Sequence, residues 1–256
     1  MEEAERIPQE ILNEICPGLY VYQEFITPEE ENRIIKQLDE ECQWDTRLSR
    51  RVQHFGFEFD YASRKAFSEY ALVPFPSETK GCLEKVKKIE PAAEYMNQLT
   101  VNEYLPGQGI SAHIDTHSCL GDVIISMSLL GDTVMRFIPA SCKLYLKTRR
   151  FNLWLPRRSL LIMKKESRLA FKHAIPLRMT DLLDGNIVKR SRRVSLTFRS
   201  IRIPPICECQ YSDACDSQNL ILEPTRIPIR EPLAILSNDT TNITMAENIN
   251  KLDDEI

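Results

Sequence analysis

At 256 residues, with 43% apolar composition, the chain has room for one large all-β domain or two small domains, and it can bury a sizeable core. It holds no run of roughly 18 or more apolar residues, which excludes a membrane-spanning helix, and its acidic start, MEEAERIPQE, lacks the basic and apolar regions of a secretory signal. Net charge is −4 but segregated: 13 acids face 5 bases in the first fifty residues, while Arg136 to Arg202 carries 18 Lys/Arg against 3 Asp/Glu, a basic stretch suited to phosphates. The expected setting is the cytoplasm, with the nucleus as a second compartment, where eight cysteines stay free or bind metal.

In chain order, residues 1–17 read as a loose lead-in. Gly18 to Phe25 (GLYVYQEF) alternates like a strand. Thr27-Pro28-Glu29-Glu30 starts a helix, with Thr27 as cap, Pro28 at the first helical position and Glu30 closing a capping box; Ile34, Ile35 and Leu38 then share one face. Arg50 to Tyr61 (RRVQHFGFEFDY) alternates again and sets Phe55, Phe57, Phe59 and Tyr61 on one side, as core or as a stacking element near a substrate. Residues 62–80 read as loop, and a short helix is expected from Cys82 to Met96. From Gln98 strand signals dominate, at 98–105, 122–130, 132–138, 142–147, 159–163, 170–175 and 193–202. Many short strands with turns between them point to a sandwich, jelly roll or barrel. Residues 216–256, with 8 acids against 3 bases, read as a disordered acidic tail.

The chemistry centres on His113-Ile114-Asp115. On a strand, residues two apart point the same way, so imidazole and carboxylate converge. His173 follows on another predicted strand, and two His with one carboxylate form the facial triad of non-haem Fe(II) oxygenases. His113, Asp115 and His117 alternate, so spacing alone leaves open which histidine ligates iron. Arg193-Val-Ser-Leu-Thr-Phe-Arg199 puts Arg193, Ser195, Thr197 and Arg199 on one face, with Val194, Leu196 and Phe198 buried on the other. Two arginines on such a face suit a dicarboxylate. Asn102 and Tyr104 share a face of the strand that turns at Pro106-Gly107-Gln108-Gly109 and leads into His113, and both can hydrogen-bond a carboxylate. Cys207-x-Cys209-x5-Cys215 offers three thiols for zinc, with His117 available as a fourth ligand.

The runs NEYLPGQGISAHID, SRLAFKHAI and RVSLTFR resemble, in order and spacing, the AlkB family of Fe(II)- and 2-oxoglutarate-dependent dioxygenases, from about Gly18 to Cys215. RRVQHFGFEF, HIDTH, the cysteine cluster and Ser195 are most similar to the branch that hydroxylates a modified wobble uridine of tRNA. The resemblance implies a mainly β domain over 18–215, a double-stranded β-helix (jelly roll) with flanking helices. It implies iron on His113, Asp115 and His173, and 2-oxoglutarate held by Arg193, Arg199 and the Asn102-Glu103-Tyr104 run. It also implies a structural zinc on His117, Cys207, Cys209 and Cys215. The implied substrate is 5-methoxycarbonylmethyluridine in tRNA, met by a monomer. Because that methyl ester must first be made, a separate tRNA methyltransferase with its small activator protein is an expected associate. Arg47, Arg50, Arg51, Lys164 and Lys165 are candidates for phosphate contact, and Phe55 and Phe57 for packing near the substrate. The competing functions are oxidative demethylation of alkylated bases in DNA or RNA, a non-catalytic tRNA-binding module, and a zinc-stabilised adaptor.

Overall fold

Two antiparallel sheets share an apolar cluster at one end and leave a polar space at the other. The computed structural model describes residues 2–47, 49–60, 65–67, 73–141, 143–144 and 149–219, all within a compact unit Met1–Ile221. The second unit, Leu222–Ile256, and with it nearly all of the expected acidic tail, lies outside the described residues. In chain order the elements are α1 (Gln9–Ile15), β1 (Leu19–Tyr22), α2 (Pro28–Glu40), β2 (Val52–Gly56), β3 (Glu58–Asp60), β4 (Lys65–Phe67), α3 (Ser77–Lys87) and a 3-10 turn (Pro91–Tyr95). Then come β5 (Gln98–Tyr104), β6 (Ile110–His113), β7 (Leu120–Leu129), β8 (Thr133–Pro139), β9 (Phe151–Leu155), β10 (Leu160–Lys164) and α4 (Glu166–Leu169). The last are β11 (Phe171–Ile175), β12 (Thr180–Leu183), β13 (Asn186–Lys189), β14 (Arg193–Ile201) and α5 (Asp216–Asn219). One sheet runs β1-β10-β7-β14-β5-β2 and the other β6-β11-β8-β9. The strands outweigh the helices, and the architecture is the expected jelly roll.

Each face of the larger sheet follows from strand alternation. Its outer face (Leu99, Val101, Ile125, Met127, Leu129, Ile162, Val194, Leu196 and Phe198) packs against Ile34 and Leu38 of α2 and Leu83 and Val86 of α3. Burying such side chains contributes about 1.5–3 kcal/mol each. The inner face is apolar towards β1, β10 and the start of β7, where Leu19, Leu161, Met163 and Ile124 join Phe137, Phe151, Leu153 and Phe171 of the smaller sheet. Across β7, β14 and β5 the inner face turns polar. The register pairs Ser128 with Ser195, Ser195 with Asn102, and Arg193 with Tyr104.

The predicted cap of α2 is present: the Thr27 hydroxyl accepts from the Glu30 N–H at 3.2 Å, and the Glu30 carboxylate accepts from the Thr27 N–H at 2.9 Å. Other boundaries differ from expectation. Residues 1–17 are not loose, because Leu12 and Cys16 of the α1 segment are buried in the inter-sheet cluster and Ala4 donates to the Leu182 carbonyl at 2.7 Å. The expected helix from Cys82 starts earlier, at Ser77, and ends at Lys87, with Pro91 opening a separate 3-10 turn. Strand β4, which falls in the expected loop 62–80, and strands β9, β12 and β13 depart from the expected set. β12 and β13 are joined by Asp184-Gly185, both at positive φ (50° and 74°), the primed turn that an Asp-Gly pair favours. Of the expected strand 142–147, Lys143 and Leu144 form a turn and the rest lies outside the described residues. Gly56, at φ 74°, ends β2 and breaks the aromatic stripe. Phe55 sits in the outer apolar cluster, away from the inter-sheet space, while the side chains of Phe59 and Tyr61 lie outside the described residues.

Candidate metal and cosubstrate site

The three iron candidates meet where the smaller sheet opens. His113 on β6 pairs directly with His173 on β11, and their rings lie 4.4 Å apart, centroid to centroid. Gly109 makes the entry to β6 possible, because a Cβ there would stand 2.2 Å from the Ile175 carbonyl oxygen. Asp115 follows just past the end of β6, with one carboxylate oxygen 3.7 Å from His173 Nε2 and the other 3.0 Å from an Arg199 Nη. One ligand atom from each of His113, Asp115 and His173 lies within 4.8 Å of the others. His113 Nδ1–H donates to the Ser111 carbonyl at 2.8 Å, which leaves Nε2 with its lone pair available to a metal.

The electrostatics fit a cation. Burial alone would raise the Asp115 carboxyl, but the Arg199 guanidinium leads the neighbours that outweigh it and hold the group well below the usual carboxylate range. Burial, reinforced by His113, pushes His173 down to about 3, so its imidazole is neutral. Asp115 Oδ2 is buried without a hydrogen-bond partner among the described residues. A buried carboxylate oxygen beside two imidazoles is the donor set a divalent metal satisfies.

Arg193 carries a second unmet demand. It is 2% exposed. Nε and one Nη donate to the Ser128 hydroxyl at 3.3 and 2.8 Å, its guanidinium lies 5.5 Å from the Tyr104 ring, and the other Nη has no partner among the described residues. Burial pushes its pKa down to about 10, and among the described residues no carboxylate pairs with it. A buried guanidinium left so is costly unless a carboxylate arrives. Arg199 stands six residues along β14, about 20 Å of strand, so the two arginines bracket the polar floor that Asn102 and Ser195 form between them.

Glu103, expected at the cosubstrate, is corrected. Alternation turns its side chain to the opposite face from Asn102 and Tyr104, where it pairs with Arg51 at 2.5 Å and with Arg192 at 2.6 Å. Arg51 is thus committed to Glu103, Lys164 to Glu90 at 2.7 Å and Arg47 to Asp45 at 2.6 Å. Of the basic candidates, Arg50 reaches the site: its Nε donates to Asn102 Oδ1 at 3.0 Å. It lines a cavity of about 660 Å³ together with His113, Asp115, Lys172, Arg199 and Asp213.

His117, Cys207, Cys209 and Cys215 form the second cluster, each offering one atom within 4.8 Å of the rest. His117 Nδ1 lies 3.5 Å from Cys209 Sγ, matching the edge of about 3.5 Å that tetrahedral zinc bonds of about 2.0 and 2.3 Å imply. Burial, followed by the neighbouring thiols, pushes Cys209 up to about 12. Two supporting residues were not anticipated. Arg168 binds backbone carbonyls of the loop between the clusters, and Asp216 caps the same loop. Arginine in a short helix reads as solvated, and Asp216 was assigned to the tail, so sequence pattern offered no sign of either beyond closeness to His173 and Cys215.

The 2OG-Fe(II) oxygenase superfamily model matches residues 18–199. The "Alkylated DNA repair protein ALKBH8 homolog" of Arabidopsis thaliana is 36% identical over 220 residues, covering 79% of this chain and 63% of its own length. The "tRNA (carboxymethyluridine(34)-5-O)-methyltransferase ALKBH8" of Mus musculus is 36% identical over 241 residues, covering 84% of this chain and 35% of its own. The chain therefore spans less than two thirds of either relative. The solved structure of OsALKBH1 superimposes with a TM-score of 0.55 at 16% identity, covering 72% of this chain and 96% of that one, a likeness of fold. Since the family match takes in most of the described unit, and both relatives share over a third of their aligned residues with it, this chain belongs to the 2OG-Fe(II) oxygenase superfamily and is an AlkB-like dioxygenase that uses iron and 2-oxoglutarate.

Proposed function

We propose that this chain hydroxylates 5-methoxycarbonylmethyluridine at the wobble position of tRNA. The observation that carries its chemistry is the pairing of two unmet demands in one polar space: a His-Asp-His cluster with an orphaned carboxylate oxygen, and a buried Arg193 with no anion. His113, Asp115 and His173 would hold Fe(II). Arg193, with Tyr104 beside it, would take the distal carboxylate of 2-oxoglutarate, and Asn102 and Arg199 would support its placement. When bound, iron with 2-oxoglutarate and O₂ supplies the oxidation that turns C–H into C–OH, while the keto acid becomes succinate and CO₂. The chain's own residues do the positioning. The Ser111 carbonyl fixes the His113 tautomer, Arg199 orients Asp115, and the cavity of about 660 Å³ beside them would receive the base.

The substrate reading is supported by the relatives. The mouse relative is named as a methyltransferase of carboxymethyluridine 34, a reaction whose product is the methyl ester proposed as substrate here. A separate tRNA methyltransferase with a small activator protein is the proposed associate, and a zinc on His117, Cys207, Cys209 and Cys215 the proposed staple. The Arabidopsis relative's name, an alkylated DNA repair protein, favours demethylation of alkylated bases as the second reading.

The test incubates the chain with Fe(II), 2-oxoglutarate and bulk tRNA in air, followed by mass spectrometry of the nucleosides. The expected result is a gain of one oxygen on methoxycarbonylmethyluridine, with succinate formed, and none with His113→Ala. Loss of methyl groups from other bases would replace this reading by the demethylase, and iron binding without succinate by a binding module.

A further inference from the structure

Loop 115–121 joins the two ligand clusters, since it carries Asp115 at one end and His117 two residues on. Arg168 is 2% exposed, and its guanidinium is given over to this loop. One Nη donates to the Asp115 carbonyl at 2.7 Å, the other to the Thr116 and Leu120 carbonyls at 2.9 and 3.4 Å, and Nε to the Gly121 carbonyl at 3.1 Å. No carboxylate side chain among the described residues forms an ion pair with it. From the opposite side, one Asp216 oxygen accepts from the backbone N–H groups of His117 at 2.6 Å and Ser118 at 3.2 Å, and the other from the Ser118 hydroxyl at 2.5 Å. Arg168 lies in α4, which runs straight into β11 and His173. One buried side chain thus ties the element delivering the third iron candidate to the loop delivering the second.

A buried guanidinium whose charge is met by four carbonyls is stable only while those carbonyls keep their places. The loop is correspondingly fixed, because releasing it would orphan up to four acceptors and three donors at once. Lysine, with one compact ammonium, cannot span four carbonyls in a planar fork. We propose that Arg168 and Asp216 are positioning residues for the iron site, setting Asp115 from outside the coordination sphere and coupling it to the cysteine cluster. This rests on the reading that His113, Asp115 and His173 hold iron.

The test measures Fe(II) affinity without turnover, under anaerobic conditions, from the visible charge-transfer band of Fe(II) chelated by 2-oxoglutarate. Arg168→Lys and Asp216→Ala are expected to weaken Fe(II) binding roughly 10- to 100-fold, the usual cost of losing an outer partner of a metal ligand. Asp216→Ala is also expected to lower zinc retention on dialysis. Arg158→Lys is the control. Arg158 is a largely buried arginine paired with Glu24 and Glu31 and touches neither cluster, so its variant is expected to lose thermal stability and keep its Fe(II) affinity. Wild-type affinity in Arg168→Lys or Asp216→Ala overturns the proposal, and equal weakening in Arg158→Lys does the same by exposing a general loss of order. If Arg168→Lys does not fold, the partly buried Asp216 carries the test alone. Absence of the band in the wild type would refute the iron assignment itself, and the positioning role with it.

Discussion

Arg193→Met separates cosubstrate binding from folding. Methionine keeps most of the length of the side chain and removes the charge. In the ligand-free chain the guanidinium is buried, bonded to Ser128 alone with one Nη orphaned. Removing a buried charge that lacks its partner ranges from neutral to stabilising by about 1–4 kcal/mol, offset by about 1 kcal/mol for the lost contact with the Tyr104 ring. The expected ligand-free stability is therefore equal to or slightly above wild type. Binding should behave oppositely. Losing one side of a buried charge pair costs about 2–4 kcal/mol, or roughly 30- to 1,000-fold in the Kd for 2-oxoglutarate. In thermal melts at 100 times the wild-type Kd, ligand should stabilise the wild type by about 2.7 kcal/mol and the variant by less than about 1 kcal/mol. A variant that binds 2-oxoglutarate as tightly as wild type, or melts far below it without ligand, would refute the assignment of Arg193 as the anion's partner.

Three further outcomes are expected. Glu103→Gln should leave 2-oxoglutarate affinity unchanged while lowering stability by about 1–3 kcal/mol, because the buried carboxylate holds Arg51 and Arg192 on the outer face; urea titration and ligand binding read the two effects separately. With the proposed zinc on the cysteine cluster, Cys209→Ser should drop zinc content, measured by atomic emission, from about one per chain towards none and lower Tm by about 2–4 °C per kcal/mol of binding energy lost. His54, on the inner face beside Thr100 at 3.3 Å, is held by burial and then by Arg199 at about 4, against 6.5 when free. Between those values the unfolded chain binds the proton and the folded chain does not, so this residue's contribution is intact above pH 6.5 and falls as the pH drops towards 4. His54→Asn should flatten part of that loss in stability curves taken across the same pH window.

The parts of the site legible in the sequence are those that strand alternation dictates. RVSLTFR placed Val194, Leu196 and Phe198 in the outer core and both arginines inside, as observed. The same rule turns Glu103 away from Asn102 and Tyr104, against the expectation that it lies at the cosubstrate. The Asp184-Gly185 pair likewise carries a hairpin signal in the sequence itself. Other features were beyond reach because they depend on tertiary partners. Phe55 belongs to the core because β2 ends at Gly56 and pairs with β5. Arg168 is buried because a loop some fifty residues away wraps it, and a four-residue helix carries no periodicity to announce that.

The division of labour between the two faces of the larger sheet explains how so polar an interior is held in place. A strand slipped by one residue exchanges its faces. In β14 that slip would drive Arg193 and Arg199 against Ile34 and Leu38 of α2 and expose Phe198 to the polar space, losing about 1.5–3 kcal/mol for each displaced apolar side chain and burying two charges. The outer apolar face, not the inner hydrogen bonds, therefore fixes the register in which Ser128, Ser195 and Asn102 line up. The inner face is left free to keep demands unmet. Among the described residues Asp115 Oδ2 and one Arg193 Nη can stay without partners because the helices α2 and α3 stabilise the sheet from behind, and the proposed ligands would meet those demands without having to build the site.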